Sequence, residues 1–208
     1  MVELKDRDFK IFREVERFRY CLGRHIKFLA DFPSVRTCDR RLSLLIAEKY
    51  LDRKKMIYGV SGVYTLTYKT RLLISADKKP EKIRLDNIIH DITVLDTAIY
   101  FMQKMSLALT EITTEKQLHQ NDGFGNRKHH PDFVINKDGK KIAVEIELTQ
   151  KSKSRFEANI KSNFIEYDKQ VWVIPDTSTK IYRILQDNKS SYPNISILEL
   201  KEIKDNVH

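Results

Sequence analysis

The sequence holds little cysteine. Its two, Cys21 and Cys38, lack the paired spacing of a zinc site. In a reducing compartment they read as small buried hydrophobes, not as a disulfide. No stretch approaches the roughly 20 apolar residues that a membrane span requires, so no membrane partner is expected. Residues 1–8 are largely charged and carry no apolar core of a secretory signal, which favours a cytoplasmic location. Internal repeats and low-complexity tracts are also missing. What is there is 208 residues, 41% hydrophobic and 32% charged. That composition suits a packed core under a heavily solvated surface. The length suits one large domain or two small ones.

The charge is unevenly spread. Residues 1–85 carry 21 Lys and Arg against 11 Asp and Glu, and residues 86–208 carry 17 against 18. Nearly all of the net +9 therefore lies in the first part. A polyanion-binding module joined to a neutral one is the expectation, and a merely basic surface is the alternative.

Within residues 7–22, Ile11, Val15, Phe18 and Leu22 recur on one helical face. Gly23 interrupts them, and residues 24–30 read as a second short helix. Residues 31–34 form a turn in which Ser34 can cap the next helix. That third helix is predicted over 35–51, with Val35, Cys38, Leu42, Leu45 and Ile46 as its apolar stripe. Arg36, Arg40 and Ser43 lie on its other side. Two β-rich runs, 56–58 and 63–67, flank a Gly-bounded loop and predict a hairpin. Three helices and a hairpin follow the order of a winged helix-turn-helix, whose third helix enters the major groove while the wing touches the backbone. On that geometry Arg36, Arg40 and Ser43 face DNA. Arg53, Lys54, Lys55, Lys69 and Arg71 flank the wing and contact phosphates. Dimerisation or protein docking through the same elements is the alternative.

Residues 77–84 are polar and contain Pro80, which predicts a linker. The expected division is a winged-helix DNA-binding domain over 1–76, a linker over 77–85 and a second domain over 86–208. The second domain opens with a helix over 85–105, carrying Ile88, Ile92, Leu95, Ile99 and Met102 on one face. His90 near its start reads as structural.

The chemistry concentrates in residues 108–175. Thr113-Thr114-Glu115 looks like a capped helix start bearing an acid. A loop rich in Gly, Asn and His follows. Two β runs around Asp138-Gly139 then pair as an antiparallel hairpin. Alternation on the second run puts Glu145 and Glu147 on one face, and Asp132 starts the partner strand. Neighbouring carboxylates repel unless cations compensate. Oxygen ligands from Asp132 and Glu145, with an acid from the preceding helix, suit Mg²⁺ or Mn²⁺. A metal so held can activate water against a phosphodiester. Lys151 and its basic neighbours would supply cations near the scissile phosphate. Each residue also has a plainer reading. Asp132 can be a turn cap and Glu115 a dipole-favoured acid. Glu145 and Glu147 can be an exposed strand face paired with lysines. His119, His129 and His130 read as a solvated loop.

Pro131-Asp132, then Glu145-Ile-Glu147 at the end of a hairpin, with the helical Glu115 before them, resembles the PD-(D/E)XK nuclease superfamily. The ordered stretches 10–67, 90–94, 114–118, 130–132 and 144–152 resemble the replication-relaxation family of plasmid and conjugative-element proteins. In that family a winged helix precedes a nuclease-like domain. The resemblance implies an α+β chain: an N-terminal winged helix-turn-helix, then a PD-(D/E)XK restriction-endonuclease-like α/β core. It implies double-stranded DNA as partner, with a relaxase or replication protein beside it, and leaves a homodimer open. It assigns Glu115, Asp132, Glu145, Glu147 and Lys151 to the catalytic set. One departure stands out: the superfamily pattern has Lys where this chain has Glu147. Either Lys151 reaches back to replace it, or Glu147 becomes a third metal ligand, or cleavage is lost. The expected function is thus a DNA-binding accessory protein of a mobile element. An active metal-dependent endonuclease ranks next, and a winged-helix transcription regulator third.

Overall fold

A computed structural model describes residues 2–56, 59, 61–76, 83–122, 128–149 and 152–206. The chain mixes helices and strands and divides into two compact units, Met1–Leu95 and Asp96–His208. Residues 77–82 of the expected linker lie outside the described residues. Among the described residues no helix is long and apolar enough to cross a membrane.

In the first unit, helix α1 (Asp6–Arg17) turns Ile11, Phe12 and Val15 inward. Its buried Asp8 accepts from the Lys5 amide at 2.7 Å and from Arg41 Nε at 2.8 Å. The helix stops well before residue 22, because Arg19 takes a left-handed φ of 70°. Cys21 then bridges Tyr64 in strand fashion. Helix α2 (Gly23–Leu29) and a turn follow. Ser34 Oγ accepts the Thr37 amide at 3.2 Å and starts helix α3 (Val35–Ala47). Cys38, Leu42 and Leu45 are buried, as their spacing predicts, but Val35 is 61% exposed. It belongs to the first turn of α3 and lines a cleft, not the core. The helix ends before residue 51. Lys49 takes φ 57°, and Tyr50 folds back to stack on Phe12 at 5.9 Å.

Strand β1 (Leu51–Lys54) pairs antiparallel with strand β2 (Val63–Leu66). The first hairpin strand therefore precedes the 56–58 run expected to form it, of which Ile57 and Tyr58 lie outside the described residues. Leu51 decides this: it is buried opposite Leu66, while Asp52, Arg53 and Lys54 stay exposed. Helix α4 (Tyr68–Leu73) was not expected. Thr67 caps it, and Thr70 Oγ1 donates to the Tyr50 carbonyl at 2.6 Å. Helix α5 (Ile88–Met105) begins with Ile88 and Ile92, which join Tyr20, Leu22 and Val63 in one cluster.

The second unit is built on strands β3 (Ile112–Thr114), β4 (Phe133–Lys137), β5 (Lys140–Ile146), β6 (Lys169–Ile174) and β7 (Ile195–Glu199). They lie in the order β3-β4-β5-β6-β7. The first three run antiparallel, and β5, β6 and β7 run parallel. The expected β4–β5 hairpin is present. Its turn residues Asp138 and Gly139 take φ of 51° and 76°, as a type I′ turn requires. Parallel pairs need crossovers, and helices α7 (Lys153–Glu166) and α8 (Lys180–Asn188) supply them. Helix α6 (Glu115–Asn121) leads out of β3, and α9 (Leu200–Asn206) follows β7. Phe156 and Ile160 of α7 and Leu185 of α8 pack on Trp172 and Ile174 of β6.

Candidate functional site

The carboxylates meet at the outgoing end of β5. Thr114 caps α6 through its Oγ1, which accepts the Gln117 amide at 3.4 Å. This is the capped start that the sequence predicts. The Glu115 amide then donates to the Asp132 carbonyl at 3.0 Å, tying α6 to the start of β4. The Glu115 carboxylate turns toward His119, at 3.7 Å. Asp132 Oδ2 accepts the Ile146 amide at 2.7 Å. Its side chain thereby extends the β5 hydrogen-bond ladder past the last paired residue of β4, which makes it a backbone cap as well as an acid.

Glu145 and Glu147 are 3% and 2% exposed, so neither sits on an open strand face. The alternation of β5 is intact, but its second face is covered too. Glu145 Oε1 accepts from His129 Nε2 at 2.7 Å and from Asn163 Nδ2 of α7 at 2.9 Å. Burial pushes the Glu145 carboxyl above its ordinary value. The His129 hydrogen bond pulls it down, and the Asp132 charge pushes it up again. The Glu147 amide continues the ladder to the Val173 carbonyl at 2.9 Å.

A second histidine pair lies nearby. His130 is buried, faces Asp122 Oδ2 through Nε2 at 2.5 Å, and meets the His119 ring edge-on at 4.7 Å. Lys128 pairs with Glu166 at 2.7 Å. Burial, then the charges of Glu166, Glu145 and Asp122, push the Tyr167 hydroxyl up to about 12. The residues 128–130 are therefore engaged with acids and are not a solvated loop. His129, His130, Asp122 and Asn163 were missed as site residues. Their partners lie 8, 16 and 18 residues away and across loop or element boundaries, so no helical or strand spacing carried a signal for them.

Among the described residues, no group of three or more His, Cys, Asp or Glu side chains is arranged to hold a metal ion. Asp132 gives an oxygen to a backbone amide, and one oxygen of Glu145 takes two donors. Those two oxygens are engaged within the protein. The expected lysine, Lys151, lies outside the described residues. Lys153 is largely exposed and pairs with Glu157 at 3.8 Å. The chemistry within reach of these residues is that of a carboxylate holding an imidazole, which can fix the ring or pass a proton.

The basic residues of the first unit divide in the same way. Arg36, Arg40 and Ser43 lie on the exposed side of α3, opposite Cys38, Leu42 and Leu45. Arg53, Lys54 and Lys55 are exposed on and after β1. With Gly59, Ser61 and Gly62, Arg53 and Lys55 line a polar concavity of about 530 Å³. Lys69 is exposed, donates to the Glu48 carbonyl at 3.1 Å and lies 3.7 Å from the centre of the Tyr50 ring. Arg71 is different: it is buried and pairs with Glu16 at 2.8 Å. It is a core ion pair and not a phosphate contact. Its helix, α4, was absent from the expected architecture, so nothing in the pattern marked its inward face. The chain matches no family model, and no curated protein matches it.

Proposed function

We propose that the chain is a DNA-binding accessory protein of a mobile element, acting in plasmid replication, DNA relaxation or conjugative transfer. The first unit would act as a winged helix. The second would be a nuclease-like domain, of PD-(D/E)XK type, that no longer cleaves and serves assembly with a relaxase or replication protein. The supporting observation is the coincidence of exposed Arg36, Arg40 and Ser43 on α3 with exposed Arg53, Lys54 and Lys55 on the adjoining hairpin. These cations lie in the part of the chain that holds nearly all of the net positive charge. Basic side chains on a helix and a hairpin are what phosphates and groove edges attract. Glu147 in place of lysine favours the non-cleaving form. So does the engagement of Glu145 by His129 and Asn163.

The test is fluorescence anisotropy of the full chain with duplex DNA over a salt series. Affinity should fall linearly on a log–log plot as salt rises. Arg36→Ala and Arg40→Ala should each cost about 1–3 kcal/mol on the preferred sequence. Loss equal on every sequence would mark them as phosphate contacts. No binding to any duplex at low salt would overturn the reading. Incubation with Mg²⁺ or Mn²⁺ should leave the DNA intact. Cleavage abolished by Asp132→Ala and by Glu145→Ala would instead establish the metal-dependent endonuclease.

A further inference from the structure

A second concavity in the first unit, of about 290 Å³, lies between α2, α3 and the β1–β2 hairpin. Its size approaches the lower end of small-ligand sites, roughly 300 Å³. Buried Leu22, Cys38 and Tyr64 contribute apolar surface to it, and Val35 adds an exposed apolar side chain. Arg24 and Lys27 enter from one face of α2, three residues apart, and Arg53 enters from β1. Asp39 is the one acid among the lining residues. Among the described residues, no ion pair ties Lys27 or Arg53 to an acid.

Gly62 sets the position of Arg53. A Cβ at residue 62 would stand 2.9 Å from Arg53 Nε and 3.3 Å from the Lys54 carbonyl oxygen. Only a glycine lets the arginine side chain pass so close to the hairpin. Its guanidinium carbon lies 5.7 Å from the centre of the Tyr64 ring. Lys27 and Arg53 converge on the cleft with Arg24 beside them and Asp39 as the single acid of the lining, so the cleft keeps a net positive charge that an anion would offset. The apolar surface beside them has no such need. It suits the flat or aliphatic body of a ligand that carries the anion.

We infer that this cleft binds a nucleotide unit, with its phosphate among Arg24, Lys27 and Arg53 and its base against the apolar wall. The site is separate from the outward side of α3: Val35, Cys38 and Asp39 line it, while Arg36, Arg40 and Ser43 do not. It therefore goes beyond the duplex-binding role. The nucleotide can come from an unpaired stretch of a DNA strand or from a free nucleotide pool.

The experiment is calorimetric titration of the full chain with each of the four nucleoside 5′-monophosphates, the matching nucleosides and inorganic phosphate. At least one monophosphate should bind one-to-one, about tenfold or more above its nucleoside and above phosphate alone, as charge-assisted contacts plus apolar contact require. Arg24→Gln and Lys27→Gln should each weaken it about tenfold. Gly62→Ala, which keeps every cation but pushes Arg53 aside, should weaken it as well. No binding of any monophosphate at about 10 mM, a Kd too weak to reflect a built site, would overturn the inference. So would binding indifferent to Arg24→Gln and Lys27→Gln. A short oligodeoxynucleotide that binds much more tightly than the mononucleotide would support the site with an unpaired strand as its source. Equal affinities would support it with a free nucleotide. Arg36→Ala with Arg40→Ala should weaken duplex binding and leave nucleotide binding intact, so failure of the one is distinguishable from failure of the other.

Discussion

Replacing Glu145 by glutamine tests whether its carboxylate is a structural partner or a buried charge kept at a cost. Glutamine keeps an oxygen that can accept from His129 Nε2 and Asn163 Nδ2, the two donors 2.7 and 2.9 Å from Glu145 Oε1. It removes the charge. Two hydrogen bonds to an ion would become two to a neutral group, a loss of about 1 kcal/mol each. Against that, the desolvation of a buried carboxylate costs several kcal/mol. The Glu145 carboxyl is raised above its ordinary value with burial as the largest cause, so desolvation outweighs the donors. Glu145→Gln should therefore stabilise the second unit at pH 7 by on the order of 1 kcal/mol. The pH dependence follows in sign. A carboxyl whose folded pKa is raised contributes fully below its unfolded pKa, and that contribution is lost as pH rises through the folded value. The variant and the parent should then coincide near pH 4 and diverge as pH rises. Trp172 is the assay: it is the sole tryptophan, lies in β6, and is the strand-register partner of Glu145. Urea unfolding followed by its fluorescence reports this unit, and the shift in midpoint at constant slope gives the free energy. A Glu145→Gln chain less stable than the parent at pH 7 by about 1 kcal/mol or more would refute the reasoning, showing a carboxylate fully compensated by its donors.

Two further outcomes follow from other residues. Arg71→Ala should cost about 3–5 kcal/mol of stability, because it leaves Glu16 without its buried partner, 2.8 Å away. Urea midpoints of the first unit by circular dichroism measure this, and a near-neutral effect would mean that the pair is exposed in solution. Burial, then the charge of Asp39, pushes the Cys38 thiol up to about 11, and burial pushes the Cys21 thiol well above its ordinary value. Both should stay protonated at pH 8, with alkylation of the native chain roughly 100-fold slower than of the urea-unfolded chain. The raised pKa gives stability that is present at neutral pH and lost only as pH rises through about 11. Rapid labelling at pH 8 in native buffer would contradict this burial.

Much of the fold was legible because local rules and burial agree. The stripe Cys38, Leu42 and Leu45 lies buried on α3, and Ser34 and Thr114 cap the helices they were expected to cap. The Asp138-Gly139 turn lies between the two strands that it was expected to join. The first hairpin was harder. Its opening strand runs through Asp52, Arg53 and Lys54, which share an exposed pattern and have little strand character by composition. Only the buried pairing of Leu51 with Leu66 reveals it, and that pairing is a long-range fact. Lys49 and Arg19 ended helices with left-handed φ, although neither is a residue that advertises such a conformation.

The carboxylate site shows a different limit. Alternation along β5 correctly sets Glu145 and Glu147 apart from Val144 and Ile146, but alternation alone cannot say that both faces are covered. In a hairpin one face meets solvent. Here β5 also carries a parallel neighbour, and a parallel neighbour brings a crossover helix. That helix, α7, contributes Asn163 to the face that the charges occupy. The residues that now decide the chemistry are donors from elsewhere: His129 before β4 and Asn163 on α7. Neither shares a spacing rule with Glu145. A motif read from acids alone counts negative charges and assigns a cation to balance them. The fold answers part of that balance with an imidazole and an amide, so the acids alone cannot distinguish a metal site from a hydrogen-bonded one.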